Sequence, residues 1–389
     1  MNILVFEDTD RKKFLPLVYM RKVYDLKCGV MTLKEKIEAY FSKTNFHFTI
    51  FVNGRVLADD DLVSSVKACK SPCLLIQDNI LIAAVMDIEK AKGIDIEKPL
   101  NVHSFDSFEL DKRSVKARIV TYPWDLVHKN SKEIESDTEL LRLKSPNLRT
   151  GQMIIGVNMT NKRNIFIGRN AVLKPGVLID AEEGPVIIDD GARILGNAVI
   201  MGPAYIGKET VIKAGAKIYG GTTIGPSCKV GGEVEGSIFH GYSNKQHDGF
   251  LGHSYICEWV NLGADTNNSD LKNNYGNVKV HIDGHLMDSG QMFVGLFMGD
   301  HSKSGINTMF NTGTVVGISS NVFGAGFPQK FIPSFSWGGA EKLAEYSLEK
   351  AIETAKIVMK RRKVEMTSKY EEQFKKLFAE TAHERKGLK

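Results

Sequence analysis

The sequence predicts a prism of short stacked strands, with a small α/β domain before it and a helical segment after it. A six-residue period is the first observation. Ile188, Ile194, Ile200, Ile206, Ile212, Ile218, Ile224 and Val230 keep one register without a slip. Four places after each comes a mostly small residue: Ala192, Ala198, Ala204, Thr210, Ala216, Thr222 and Cys228, with Val234 the largest. The second observation is the mixed pattern before residue 120, where short apolar runs alternate with a capped helical stretch. The third is a long amphipathic pattern from Gly339 to Thr381, with Leu343, Tyr346, Ala351, Ala355, Val358, Tyr370, Phe374 and Leu377 roughly on one face.

A strict period of six fits neither the 3.6 residues of a helix turn nor the alternation of a strand. It fits one hexad per face of a three-sided coil. The aliphatic residue points inward, the small residue fills the inner corner, and glycine permits the bend. Coils stacked roughly 4.8 Å apart then exchange backbone hydrogen bonds. The prism starts before Ile188, because Ile167, Leu173 and Ile179 are also six apart. The step of nine to Ile188 puts a three-residue bulge within Ala181-Glu182-Glu183-Gly184-Pro185. After Val230 the period breaks from Gly236 to His247 and is expected to resume at Phe250, Ile256 and Leu262. It lapses again through the polar stretch Asp265–Gly290, then returns at Met298, Ser304, Phe310, Val316 and Val322. Interruptions of a repeat are where function is inserted, since they need not obey the stacking pattern.

In the N-terminal region, Ile3–Phe6, Thr49–Val52 and Cys73–Ile76 read as strands, while Ile80–Ile88 fits either class. Thr32–Phe41 reads as a helix with Thr32 as cap and Glu35 closing a capping box. Asn53-Gly54 and Lys70-Ser71-Pro72 are turn signals. A helix is expected to start within Ser107–Val115, and Asp137–Leu143 to form a connecting helix. Between them Pro123 interrupts regular structure, and the Trp124 indole is expected to dock the linker on a neighbour. The expected domains are 1–120, a linker at 121–150, the prism at 151–338 and the C-terminal helix at 339–389.

Composition excludes some classes. The 389 residues carry 51 basic and 46 acidic side chains, a net charge of +5, too nearly balanced to argue for nucleic acid. Apolar content of 42% supplies a core. Five cysteines show no disulfide framework and no Cys-x-x-Cys, which reads as reduced thiols in the cytoplasm. No run of eighteen apolar residues argues for a membrane, and the N-terminus lacks a signal-peptide layout. Lys360-Arg361-Arg362-Lys363 is the most positive run, either a solvated helix face or a contact to phosphate or a partner.

Hexapeptide-repeat prisms of this kind resemble the left-handed β-helix acyltransferases. The resemblance sharpens at Lys245-x-His247, Leu251-Gly252 and Val260-Asn261-Leu262-Gly263-Ala264. These look like the active-site region of the bifunctional enzymes that make UDP-N-acetylglucosamine. Those enzymes join a glucosamine-1-phosphate N-acetyltransferase to an N-acetylglucosamine-1-phosphate uridylyltransferase. A variant bacterial branch with a shortened N-terminal half is more similar still. It is matched at Gly263-Ala264-Asp265-Thr266-Asn267-Asn268, Met298-Gly299-Asp300-His301-Ser302-Lys303 and Pro333-Ser334-Phe335-Ser336-Trp337-Gly338-Gly339. The Tyr122–Leu126 linker and the segment from Pro16-Leu17 to Gly29 also look like that branch.

The resemblance implies a left-handed parallel β-helix behind a nucleotidyltransferase-like α/β domain, with acetyl-CoA as co-substrate lying between prisms of a homotrimer. It puts His247 at the catalytic position, where an imidazole titrating near neutrality takes a proton from the sugar amine. Asn261 and Ala264 fall where contacts surround the amine and thioester, and a backbone N–H there would meet the oxyanion. Lys245, Lys272 and Lys279 are candidates for the sugar phosphate by charge and nearness. The chain departs from the family at Phe250, where a tyrosine is usual, at Asp270, a substrate-binding candidate in place of a substrate-binding asparagine, and at Glu235 near a phosphate-binding lysine. His240, His253 and His301 read as solvated or hydrogen-bonded histidines.

Uridylyl transfer from UTP with Mg²⁺ is the family's second activity. The family's glycine-rich phosphate loop is absent from Phe6–Lys13, which leaves Arg11, Arg21 and Lys27 as candidate nucleotide contacts. Two other readings stay open on the residues alone. One is a sugar-1-phosphate nucleotidyltransferase whose prism only assembles the oligomer. The other is a non-catalytic scaffold that binds sugar nucleotides.

Overall fold

The computed structural model of the protein describes residues 3–42, 44, 46–144, 149–150 and 154–388. The expected join of linker and prism at 150/151 falls beside residues 145–148 and 151–153, outside the described residues. The chain forms two compact units. The first comprises Met1–Phe14, Arg21–Lys27 and Met31–Asp125; the second comprises Leu15–Met20, Cys28–Val30 and Leu126–Lys389.

The first unit is a five-stranded mixed sheet with helices. Strands β1 (Ile3–Phe6), β2 (Thr49–Asn53), β3 (Cys73–Gln77), β4 (Ile80–Met86) and β5 (Asp111–Ser114) lie in the order β1-β2-β4-β3-β5. Helix α1 (Leu33–Phe41) starts at the capping box read from the sequence, with the Glu35 N–H donating to Thr32 Oγ1 at 3.2 Å. Helix α2 (Asp60–Lys67) is capped by the Asp59 carboxylate. Ile80–Ile88 resolves into β4 and the start of a short helix, α3 (Ile88–Ala91). The helix expected within Ser107–Val115 does not form. A 3₁₀ segment ends at Phe108, Glu109 turns at φ 49°, and Asp111–Ser114 pair with Cys73–Ile76 as an edge strand.

Pro123 opens a helix instead of interrupting one. Helix α4 spans Pro123–Lys144, longer than the connecting helix expected at Asp137–Leu143. Proline suits this first position because its missing N–H would have no intrahelical partner. Trp124 is buried and stacks on Tyr122, with ring centroids 4.5 Å apart.

The second unit is built on a parallel β-solenoid. Three sheets run along it, and the longest has ten strands, from Arg149–Thr150 to Phe331–Ile332. The inner register follows the sequence period: Leu173 lies beside Ile194, Ile194 beside Ile212 and Ile212 beside Val230. These aliphatics form one continuous core with the small residues Ala192, Ala198, Ala204, Ala216 and Cys228 at the corners. The bulge falls where the period placed it, since Ile179 pairs with Ile200 and Ile167 with Ile188 across the extra residues.

The break after Val230 is a shortening of the coil, not a loss of it. Val230 pairs with Lys245, and Val234 with Leu251. The expectation that Phe250 resumes the inner row is therefore off by one. Leu251 is in the core, while Phe250 is only half-buried. Ile256, Leu262, Met298, Phe310, Val316 and Val322 take the inner positions expected of them. The polar stretch contains an antiparallel hairpin, Lys279–Ile282 with His285–Asp288.

Within this unit, Asn130 of α4 is fully buried and donates to the Gly221 carbonyl at 2.7 Å. The same side chain accepts from the Gly29 N–H at 2.7 Å. Val30 and Ile134 cover Phe166, Ile187 and Tyr205 on the outer face of the ten-stranded sheet. The C-terminal amphipathic pattern is two helices, α5 (Leu348–Lys360) and α6 (Ser368–Glu380), with Leu343 on a short strand before them. They pack through Ala351, Ile352, Phe374 and Leu377 on Tyr19, Ile318 and Phe335.

The inner row carries this unit's stability, so truncating one member leaves a void between coils that hydrogen bonds hold in place. Ile212→Ala is expected to cost about 2–5 kcal/mol, read as a lower midpoint in urea denaturation. Val211→Ala on the outer face of the same strand is expected to cost well under half as much.

Candidate functional site

His247 follows a shortened coil of the solenoid, in which Val230 pairs with Lys245. Lys245 occupies the inner position beside Val230 and is 1% exposed. Its ammonium is held by backbone carbonyls. Nζ donates to the Gly231 carbonyl at 3.2 Å and the His247 carbonyl at 3.0 Å, so it ties the histidine's backbone to the coil below. Burial pushes the Lys245 ammonium down to about 8, against the raising influence of Asp248, Asp265 and Glu233. The loop then closes at Gly249, whose φ is 115°, and a Cβ there would come within 2.3 Å of the Thr266 carbonyl oxygen. Only glycine fits that approach.

With its backbone held this way, His247 is exposed at a corner of the prism. It lines a groove of about 550 Å³ together with Lys213, Gly231, Gln246, Asp248, Ala264 and Asp265. His247 and Ala264 are thus brought together, as expected from the sequence. The neighbouring N–H groups of Gly263, Asp265 and Thr266 are all taken by backbone carbonyls. That of Ala264 makes no hydrogen bond among the described residues, and Ala264 is one of the groove's lining residues. Asn261 is exposed on the adjoining face and bridges Asn244 on one side and Lys303 on the other.

The other candidates lie elsewhere. Asp270 accepts from His253 Nδ1 at 2.8 Å, and the pair is largely shielded, at 13% and 21% side-chain exposure. Lys272 donates to the Asn277 carbonyl within the polar stretch, and Lys279 is exposed on its hairpin. Neither lines the groove that holds His247.

In the first unit, Arg11 reaches Glu7 at 3.5 Å and the Arg21 carbonyl at 3.4 Å. Burial pushes the Asp25 carboxyl up, with Arg21 among the nearby cations acting the other way, and Lys27 bridges Thr32 through its backbone. Sequence reading missed Arg55, which is 1% exposed and holds Asp8 at 2.9 Å and Asp10 at 3.0 Å. Asn53 also donates to Asp8, at 2.9 Å. The Asn53-Gly54 turn signal pointed at the right place but not at the arginine.

Metal ligation can be tested on these acids. Asp8 and Asp10 are held by Arg55, Lys13 pairs with Asp10, and Lys22 pairs with Glu7. Carboxylates already neutralised by cations do not fit Mg²⁺ in this arrangement, and no step is derived through a metal. Among the described residues, no group of three or more His, Cys, Asp or Glu is placed to hold one. All five cysteines are buried, and none of them forms a disulfide among the described residues. No helix among the described residues is long and apolar enough to cross a membrane.

The chain carries an α/β unit and a second unit built on a hexapeptide-repeat parallel solenoid. Residues 3–50 and 43–145 match the model of the family described as "Sugar nucleotidyl transferase". Part of the chain is similar to bifunctional sugar-1-phosphate nucleotidylyltransferase/acetyltransferases. The relative of that description from Sulfurisphaera tokodaii is 33% identical over 150 residues, which are 35% of this chain and 37% of the relative. The bifunctional protein GlmU of Nocardia farcinica is 31% identical over 173 residues, 39% of this chain and 30% of that protein. The chain spans between 30% and 49% of the length of the curated relatives it matches. Among solved structures, the UDP-N-acetylglucosamine acyltransferase of Campylobacter jejuni aligns at 16% identity, covering 61% of this chain and 91% of that one with a TM-score of 0.28.

The buried ammonium gives the site a pH signature. Between pH 8 and 10.5 the unfolded chain holds the Lys245 proton and the folded one does not, so stability rises with pH across that window. The Lys245 contribution is about 1.4 kcal/mol per pH unit at most. Lys245→Met is expected to lose it, read as a flatter dependence of the urea midpoint on pH between 8 and 10.5.

Proposed function

We propose that the protein acetylates the amine of glucosamine-1-phosphate with acetyl-CoA, using His247 as general base. The observation that supports this most is the groove itself: an exposed imidazole beside an unspent Ala264 N–H. The sugar amine, its proton accepted by a His247 ring nitrogen, attacks the thioester carbonyl. The carbonyl oxygen takes up negative charge and meets the Ala264 N–H. Collapse of the tetrahedral adduct breaks the C–S bond, and the proton held by His247 passes to the departing thiolate. The products are N-acetylglucosamine-1-phosphate and CoA. The relatives' names, which couple acetyl and nucleotidyl transfer, support the same reaction class.

Coupled uridylyl transfer from UTP, giving UDP-N-acetylglucosamine, is the second half of the proposal. It is supported by the family match over residues 3–145, with Arg11, Arg21 and Lys27 as the candidate nucleotide contacts. Assembly as a homotrimer would enclose the acyl-CoA between neighbouring prisms.

CoA release, followed with a thiol reagent, tests the acetyl transfer. His247→Ala is expected to lower kcat by about 10²–10⁴-fold with an unchanged melting temperature, since the side chain is exposed. No CoA release by wild type across several amino-sugar phosphates, or full activity in the variant, contradicts it.

A further inference from the structure

The groove has a cationic flank that the expected site residues do not account for. Lys213 lines it two coils before Gln246, a separation of about 10 Å along the prism axis. Lys229 stands next to inner Val230, and on the adjacent coil its strand neighbour is Asn244. Over this row sits the end of α5. Arg362 donates to the Ser227 carbonyl and to Asn244 Oδ1, both at 2.6 Å. These two bonds position the guanidinium on the same face as Lys229, with Arg361 beside it at the helix cap.

Asp248 and Asp265 line the same groove as Lys213 but form no ion pair with these cations among the described residues. Among the described residues Lys213, Lys229, Arg361 and Arg362 make no ion pair, whereas Lys217 on the next strand is paired with Glu233 at 3.3 Å. The cations work against one another: burial, then Arg362, Lys213 and Arg361, push the Lys229 ammonium down. An uncompensated, partly ordered set of cations beside a reactive histidine costs stability unless an anion fills it. Arg362 cannot swing away without giving up both of its acceptors, so the guanidinium is preorganised for an anion.

We propose that Lys213, Lys229 and Arg362 form a binding face for a phosphate group next to the His247 groove, a role that Lys245, Lys272 and Lys279 do not fill. This rests on the reading of the groove as a sugar-phosphate acetyltransferase site, and it names the residues that select a phosphorylated ligand. The phosphate belongs either to the acceptor sugar or to the phosphates of CoA. A sugar 1-phosphate carries its anion on the carbon next to the one bearing the 2-amine. Two lysines reaching from neighbouring coils can therefore hold the phosphate while the amine stays at His247.

Isothermal titration calorimetry on the full chain tests this, with glucosamine-1-phosphate, glucosamine and CoA as separate probes. In the double variant Lys213→Ala/Lys229→Ala, affinity for glucosamine-1-phosphate is expected to fall at least tenfold. Its salt dependence flattens and glucosamine binding is unchanged. An equal loss for CoA alone keeps the phosphate face and assigns it to the donor. The melting temperature should hold or rise, since like charges are removed, and Lys213→Arg/Lys229→Arg should restore binding. Equal affinities of wild type and double variant for both phosphorylated probes, or no binding of either to wild type, overturn the proposal. Phosphate-dependent binding in a chain that releases no CoA keeps this face and discards acetyl transfer. CoA release with phosphate binding indifferent to both lysines does the reverse.

Discussion

The second unit depends on one constraint: every coil must place a residue on the inner row beneath the next. Backbone hydrogen bonds between coils fix that row, and side chains cannot slide along it without breaking a ladder. Aliphatics from Leu173 to Val230 meet the constraint and give an uninterrupted core. Where the chain puts Lys245, Asn268 and Ser304 on the row instead, each polar group must find a partner inside the coil. Lys245 finds carbonyls at the corner, and Asn268 exchanges hydrogen bonds with the Gly252 backbone in both directions. Ser304 meets Thr266 Oγ1 at 2.8 Å. Of the three, Lys245 reaches the His247 carbonyl and so fixes the loop that carries the histidine.

Much of this was legible because a period of six has few structural meanings. The row from Ile167 to Val230, the bulge at residues 181–185 and the return at Met298 follow from counting alone. The shortened coil did not, because counting apolar residues cannot recognise a lysine as an inner-row member. Lys245 reads in sequence as a free cation near a histidine, and therefore as a phosphate ligand. Its burial becomes visible only when Val230 is seen beside it. The same blind spot moved the inner position from Leu251 to Phe250.

The site shows a similar division. The resemblance assigns His247 and Ala264 to one site, and the structure puts both in one groove. Asp270, aligned with a substrate-binding asparagine of the family, accepts a hydrogen bond from His253 here, a pairing the alignment does not announce. Arg362 could not be placed from sequence, since the break between α5 and α6 that lays it on Asn244 leaves no trace in the amphipathic pattern. In the first unit, Arg55 draws Asp8 and Asp10 together across 45 or more residues of chain, a pairing no local motif announces.

The account turns on the groove at His247, and a crystal structure of the protein with CoA and glucosamine-1-phosphate tests it most directly. The account predicts the sugar amine about 2.6–3.2 Å from a His247 ring nitrogen, with the CoA sulfur beside Ala264. Both ligands bound away from the groove, with His247 facing solvent, would contradict it.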